Sequence, residues 1–283
     1  MRDIYQEITN RIIAELENGN IPWHCSWSPT QWRCRNLVSD RAYRGINAIL
    51  LSNLPYESPF YLTLRQLRKL GGELRPNVSA TEVVFWMLFE KDETTRIPLL
   101  RFYQIYNLEQ TRGIPEKYIP YLPPKYKLEF NPIETAEEII AGYIDGPEVI
   151  HGGDDACYSP LPDRIRMPNR SAFKSEEEYY STLFHEQTHS TGHNSRLNRP
   201  GMDRVEFGSD TYSKEELIAE MGAAFLCAYS GIENTTIRNS GAYIRSWLER
   251  LRSDKKLVVQ AAQKAQKAAD YILKVGQVQE KAA

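Results

Sequence analysis

Four apolar residues, Ile4, Ile8, Ile12 and Leu16, recur at four-residue spacing in the opening stretch, with charged and amide residues between them. That period predicts an amphipathic helix over residues 2–18, stopped at Asn18-Gly19. Short helical patterns follow, one through Asn47 to Asn53 and one from Thr63 to Leu70 that closes at Gly71-Gly72. Two runs rich in β-branched and aromatic residues come next, TEVVFWMLFE (81–90) and LLRFYQIYNL (99–108). The polar KDETTR between them predicts a hairpin. Residues 120–132, PYLPPKYKLEFNP, hold four prolines and little periodicity, so the chain is expected to divide there.

After that segment the pattern predicts a helix near 134–145 and short strands in EVIHGG and DRIRMP. Three strong helices follow, at about 175–191, 214–230 and 241–275. The first opens with a capping box, Ser175-x-x-Glu178, and ends at Gly192. The Ala/Lys/Gln-rich tail past residue 255 reads as a solvated amphipathic helix. The expected fold class is therefore α+β: a small α+β domain with a β-ribbon over residues 1–125, then a mainly helical domain over residues 126–283.

Composition changes this picture little. The 283 residues suit two domains, each able to bury a core. No apolar run approaches the roughly 18 residues of a membrane span, and the first helix lacks the core of a signal peptide. A cytoplasmic protein without membrane contact is expected. Cys25, Cys34, Cys157 and Cys227 form no CxxC pair; Cys25 and Cys34 could meet, but a reducing cytosol favours free thiols.

Charge adds more. The net charge is −2, yet residues 31–75 carry eight basic side chains against three acidic ones. A local basic patch is what an anionic partner feels. Beside it, PWHCSWSPTQWRCR (22–35) places Trp23, Trp27 and Trp32 in a stretch without helical or strand period, followed by Arg33 and Arg35. DRAYRGINAILL (40–51) adds Tyr43, Arg44 and Asn47. Aromatic faces interleaved with guanidinium groups suit single-stranded nucleic acid, because bases stack on rings while arginines neutralise phosphates. Tryptophans beside prolines also serve as buried plugs of small cores, and both readings stay open for Trp23 and Trp27.

The sharpest chemistry is HEQTH, residues 185–189, inside a capped helix. Residues four apart lie on one helix face, so His185 and His189 can share a metal ion, with Glu186 beside them as catalytic carboxylate. The metzincin continuation fails, since Gly192 fits but position 195 is serine, not histidine. A third ligand is expected from SKEELIAEMGAAFL (213–226), where Glu216 and Glu220 share a face. Glu216 is preferred, with Glu220 orienting a histidine; the reverse, or Glu216 serving only to cap its helix through Ser213, stays open. Glu215 reads as solvated. DRIRMP is expected as an edge strand, either ordinary or able to pair with an extended peptide. His24 and His151 read as surface or packing residues. Two imidazoles and a carboxylate favour zinc, though manganese or cobalt fit the same donors.

These stretches, in order, resemble one family. GNIPWHCSW, YRGINAILL, VVFWMLF and FYQIYNLEQTRGIP, then DRIRMP, YYSTLFHEQTHSTGHNSRL and EELIAEMGAAFL, are similar to the ArdC-type antirestriction proteins of conjugative plasmids. The resemblance covers nearly the whole chain and stops at about residue 255. It implies an N-terminal domain that binds single-stranded plasmid DNA entering a recipient bacterium and protects it from restriction. It also implies a C-terminal zincin-like metallopeptidase domain, with His185, His189 and a helix glutamate as ligands and Glu186 as catalytic carboxylate. The alternative is a protease recruited by DNA to cleave a restriction subunit or another DNA-bound protein.

Overall fold

The computed structural model describes residues 3–24, 34–90, 96–120, 132–200, 210–232 and 241–275. Trp27, Trp32, Arg33, Cys25 and nearly all of the proline-rich segment lie outside them. By contacts the chain forms two compact units, Met1–Ile8 with Thr30–Lys127, and Thr9–Pro29 with Leu128–Ala283. The change of unit at residues 127 and 128 falls within the proline-rich segment. The excursion of residues 9–29 into the second unit has no counterpart in the sequence pattern, and helix α1 (Ile4–Glu17) carries the chain across it.

The first unit is built on a four-stranded sheet of order β1-β2-β5-β4. β1 (Arg35–Asn36) runs parallel to β2 (Phe60–Leu62), and β2 is antiparallel to β5 (Arg96–Asn107). β5 forms the long ribbon with β4 (Thr81–Glu90), in register from Thr81↔Ile105 to Glu90↔Arg96. Cross-strand partners share a face, as do residues two apart on one strand, so Val83 lies on the face of Thr81 and its partner Ile105, and Val83 and Ile105 join a core with Cys34, Tyr43, Leu51 and Tyr61. Helix α2 (Ile46–Ser52) is buried along its length. Its Asn47 amide donates to the Val84 carbonyl at 2.6 Å and accepts the Val84 N–H at 2.8 Å. That side chain substitutes for a neighbouring strand at the sheet edge, where an open ladder would otherwise invite pairing. Helix α3 (Leu64–Lys69) starts from a full capping box between Thr63 and Gln66. A small ribbon of β3 (Glu73–Leu74) and β6 (Thr111–Arg112) completes the unit.

The second unit is mainly helical. Helix α4 (Pro132–Gly142) leads to a three-stranded sheet of order β7-β9-β8: β7 (Glu148–His151), β8 (Cys157–Ser159) and β9 (Arg164–Met167). DRIRMP therefore forms the central strand, not an edge. It pairs with β7 in parallel and β8 antiparallel because the chain returns to insert β9 between them. Its Ile165 and Met167 are fully buried, as a central strand requires.

Helices α5 (Glu176–Ser190) and α6 (Asp210–Ser230) follow. The Ser175 hydroxyl accepts the Glu178 N–H, as a capping box needs, but the Glu178 carboxylate takes the Lys174 N–H instead of the Ser175 one. The single long helix expected over 241–275 is two, α7 (Gly241–Ser253) and α8 (Leu257–Leu273), divided where the Asp254 carboxylate accepts the Lys256 N–H. α8 is no solvated tail. Val258, Ala262, Ala265, Ala268 and Ala269 are fully buried, and the alanines let it lie close along α6. Cys34, Cys157 and Cys227 are free thiols.

Candidate metal centre

α5 is the floor of the site. Ser175 caps its start, and glutamates at 176–178 complement the positive end of the helix dipole. Almost every other side of it is buried, including Tyr179, Tyr180, Leu183, Phe184 and Thr188. α6 packs against it very closely. A Cβ on Gly222 would sit 2.4 Å from Thr188 Cγ2, so only glycine allows this approach. Glu215, Ala219 and Gly222 share one stripe of α6, while Glu216 and Glu220 share the next.

That approach brings the chemistry together. His185 Nε2 and His189 Nε2 lie 3.1 Å apart. The Glu216 carboxylate reaches to 3.6 Å of the first and 3.4 Å of the second. One ligand atom from each of the three residues falls within 4.8 Å of the others, a spacing that can hold a metal ion. The outer ring nitrogens have carboxylates of their own. His185 Nδ1 lies 3.8 Å from Glu220, and His189 Nδ1 lies 3.5 Å from Glu215. Such partners fix the tautomer and orientation of a ligating imidazole. Glu186 is buried, and its Oε2 accepts the backbone N–H of Tyr158 on β8 at 2.7 Å.

Two sequence expectations change here. Ser213 does not cap α6, because the helix already begins at Asp210, and Glu216 is free to face the histidines. Glu215 is not solvated; it is 6% exposed and paired with Arg199, itself 7% exposed. Arg199 Nε donates to Glu215 Oε2 at 3.0 Å, and its other nitrogens donate to Thr191 Oγ1 and to the Thr188 and His189 carbonyls. One guanidinium thus caps the end of α5 and holds the carboxylate that faces His189. Arg196 does a similar task nearby, donating to the Ser190 carbonyl and to Asp163. Neither arginine stood out in the sequence; their place in the turn directly after an HExxH helix was the available signal.

The electrostatics follow from these contacts. Burial disfavours a charged His185, but the Glu216 carboxylate outweighs it and raises the pKa. At His189 burial is again opposed, by Glu215 and Glu216, and the rise is larger. Burial works against the Glu216 charge too, yet the two imidazoles hold its carboxyl far below the usual range. Glu215 is also lowered, with His189 and Arg199 overcoming its burial. The carboxylates around the histidines favour positive charge at this spot, and a divalent cation would supply it.

The residues expected to contact nucleic acid are not all brought together. Trp23 is fully buried and packs edge-to-face on Trp247, with ring centroids 5.2 Å apart, so it is a plug in the second unit rather than a platform. Asn47 is committed to β4, and Arg35 to Asp40 at 2.9 Å. Tyr43 is mostly buried against Tyr61, and Arg44 is exposed. His151 is a packing residue, stacked on Tyr179 and within 2.9 Å of its hydroxyl.

Comparison with known proteins matches both halves. Residues 2–122 fit the N-terminal domain of anti-restriction factor ArdC, and residues 134–264 fit the zincin-like metallopeptidases. The crystal structure of antirestriction ArdC from plasmid R388 is 36% identical, with a TM-score of 0.77, covering 96% of this chain and 97% of that one. The chain belongs to the ArdC antirestriction family. A second structure of R388 ArdC, equally similar, is Mn(II)-bound. Protein y4eC of Sinorhizobium fredii is 33% identical over 95% of this chain and 91% of its own length. The DNA primase TraC of Escherichia coli is 31% identical over 98% of this chain, which spans only 28% of that protein. As in the ArdC family, a zincin-like domain implies a divalent metal, and His185, His189 and Glu216 offer the donors for one. Among the described residues no helix is long and apolar enough to cross a membrane.

Proposed function

We propose that this chain is an antirestriction protein that binds single-stranded DNA through its N-terminal unit and carries a metallopeptidase site in its C-terminal one. Zinc is the proposed metal, with Mn(II) or Co(II) accepted by the same donors. The observation that carries the reading is the convergence of two Nε2 atoms and the Glu216 carboxylate beside a buried Glu186. Glu216 is the proposed third ligand, with Glu220 and Glu215 orienting the histidines.

The chemistry a divalent cation supplies when bound is Lewis acidity toward water and a peptide carbonyl. The protein does the rest. Glu186, held by the Tyr158 N–H, can take a proton from an attacking water and pass it to the leaving amine. β8 is an outer strand of its sheet, and Tyr158 turns its N–H toward Glu186. An extended peptide laid beside β8 would thus bring its backbone to the carboxylate. Burial keeps bulk water from competing for these groups.

A second reading has DNA recruit the protease to cleave a restriction subunit or another DNA-bound protein; the presence of both domains on one chain favours it. Plasmid transfer into restricting and non-restricting recipients, comparing wild type with Glu186→Gln, decides between them. Protection that survives the substitution makes DNA binding sufficient. Protection lost while single-strand affinity stays identifies the protease as the agent. A wild type that neither protects nor binds single strands overturns the proposal.

A further inference from the structure

Several basic and aromatic residues of the first unit that face outward gather at a place the tryptophan-rich stretch does not describe. A cavity of about 580 Å³ opens between the β4–β5 ribbon, α3 and the turn around residue 40. Phe85 and Tyr103 line it from the ribbon, 44% and 40% exposed, edge-to-face at 5.2 Å. Tyr43 supports them, its ring 6.3 Å from that of Phe85. Two large rings left open to water on a sheet face are costly unless something covers them.

The charge around the rings says what that is. Arg41, Arg65 and Lys69 line the cavity, all exposed, and among the described residues no carboxylate joins them in its lining. Arg65 and Lys69 are four apart on α3 and so project side by side. Arg101 stands directly opposite Phe85 in the ribbon register and is exposed on the same face. Cations therefore flank the rings on the α3 side and on the ribbon side. An apolar peptide would leave these cations unanswered, and a duplex offers the rings only bases already stacked in pairs.

The polar floor is already committed. Asn36 Oδ1 accepts from the Val38 and Ser39 N–H groups, the Ser39 hydroxyl and Gln66 Nε2. Gln66 Oε1 accepts from Asn36 Nδ2 and from the Thr63 N–H and hydroxyl. These amides shape the cavity and have little left with which to read a base edge.

We infer that this cavity is a base-stacking site for single-stranded DNA, in which Phe85 and Tyr103 take an unpaired base while Arg41, Arg65, Lys69 and Arg101 hold the adjacent phosphates. This rests on the reading that the protein binds single strands, and it locates that binding on the ribbon and α3. Binding here is tolerant of base identity, because stacking and phosphate contacts carry it.

The test is fluorescence anisotropy of the full chain with labelled poly-dT, in a series of salt concentrations. Phe85→Leu combined with Tyr103→Leu keeps apolar bulk and removes the stacking faces; it is expected to weaken binding about tenfold or more. Phe85→Tyr and Tyr103→Phe keep the faces and are expected to stay within about twofold of wild type. Arg65→Ala with Lys69→Ala is expected to flatten the salt dependence by about 0.7 in slope for each phosphate that is no longer neutralised. A doubly leucine-substituted protein that melts like wild type and keeps its affinity overturns the site while leaving single-strand binding intact. So does loss of affinity in the aromatic-for-aromatic variants when they melt like wild type. Wild type that ignores poly-dT, or prefers duplex, sinks the underlying reading as well.

Discussion

The two units treat charge in opposite ways. In the C-terminal unit Glu215, Arg199, Glu186 and Thr188 are buried, and the ionic groups answer one another within a few ångströms of the histidines. In the N-terminal unit the buried polar groups among the described residues are neutral, Asn47, Asn107, Gln110 and Thr111 among them, while Arg41, Arg65, Lys69 and Arg101 stay in water. The difference matches what each is proposed to hold. A metal ion needs ligands fixed and desolvated before it arrives, since the ion must replace protons at set positions. A polyanion needs solvated cations that can release its counterions.

The largest effect that would test this contrast is expected from Arg199→Met. It leaves Glu215 buried without its partner and strips the cap from α5, and should cost about 3–5 kcal/mol in urea unfolding. A loss below about 1 kcal/mol would mean the pair is no more than a surface ion pair. Trp23→Ala should cost a similar amount, about 3–5 kcal/mol, by emptying the space beside Trp247. Its affinity for single strands should stay at the wild-type value; a specific drop in a folded protein would return Trp23 to the DNA surface.

Next in size is the hierarchy among the carboxylates. Glu220→Gln should weaken metal binding about 10–100-fold by calorimetry, the range for a group that only orients a ligand. Glu216→Gln should weaken it further, and equal losses would erase the distinction between the two positions.

The pH dependence of the metal-free protein sharpens the same point. His185 and His189 are raised above their ordinary 6.5, so their stabilisation is complete below 6.5 and is lost as pH rises through the raised values. Glu215 and Glu216 are lowered from 4.5, so theirs is present above 4.5 and is lost as pH falls through the lowered values. Melting in the presence of a chelator should therefore show the cluster contributing most between pH 4.5 and 6.5. Loading the metal should release protons and move that optimum upward. The smallest effect is expected from Arg35→Ala, which removes an exposed pair and should cost less than about 1 kcal/mol.

The sequence by itself determined the local parts. Helical period, caps and the H-E-x-x-H spacing placed α1, α3, α5 and the β4–β5 ribbon within a few residues, because i,i+4 geometry and turn chemistry act between near neighbours. For the same reason His185, Glu186 and His189 were legible as a unit. Tertiary structure decided what depends on contact between distant segments. Only the approach allowed by Gly222 brings Glu216 to both histidines and buries Glu215 on Arg199. Only chain return places β9 between β7 and β8. Trp23 looked like a neighbour of Arg35 and Tyr43 in sequence, but its partner Trp247 lies more than two hundred residues away, and no local pattern encodes that packing. The exposed rings of Phe85 and Tyr103 were hidden in a run of strand-forming residues, since alternation says which residues share a face but not which face is left open.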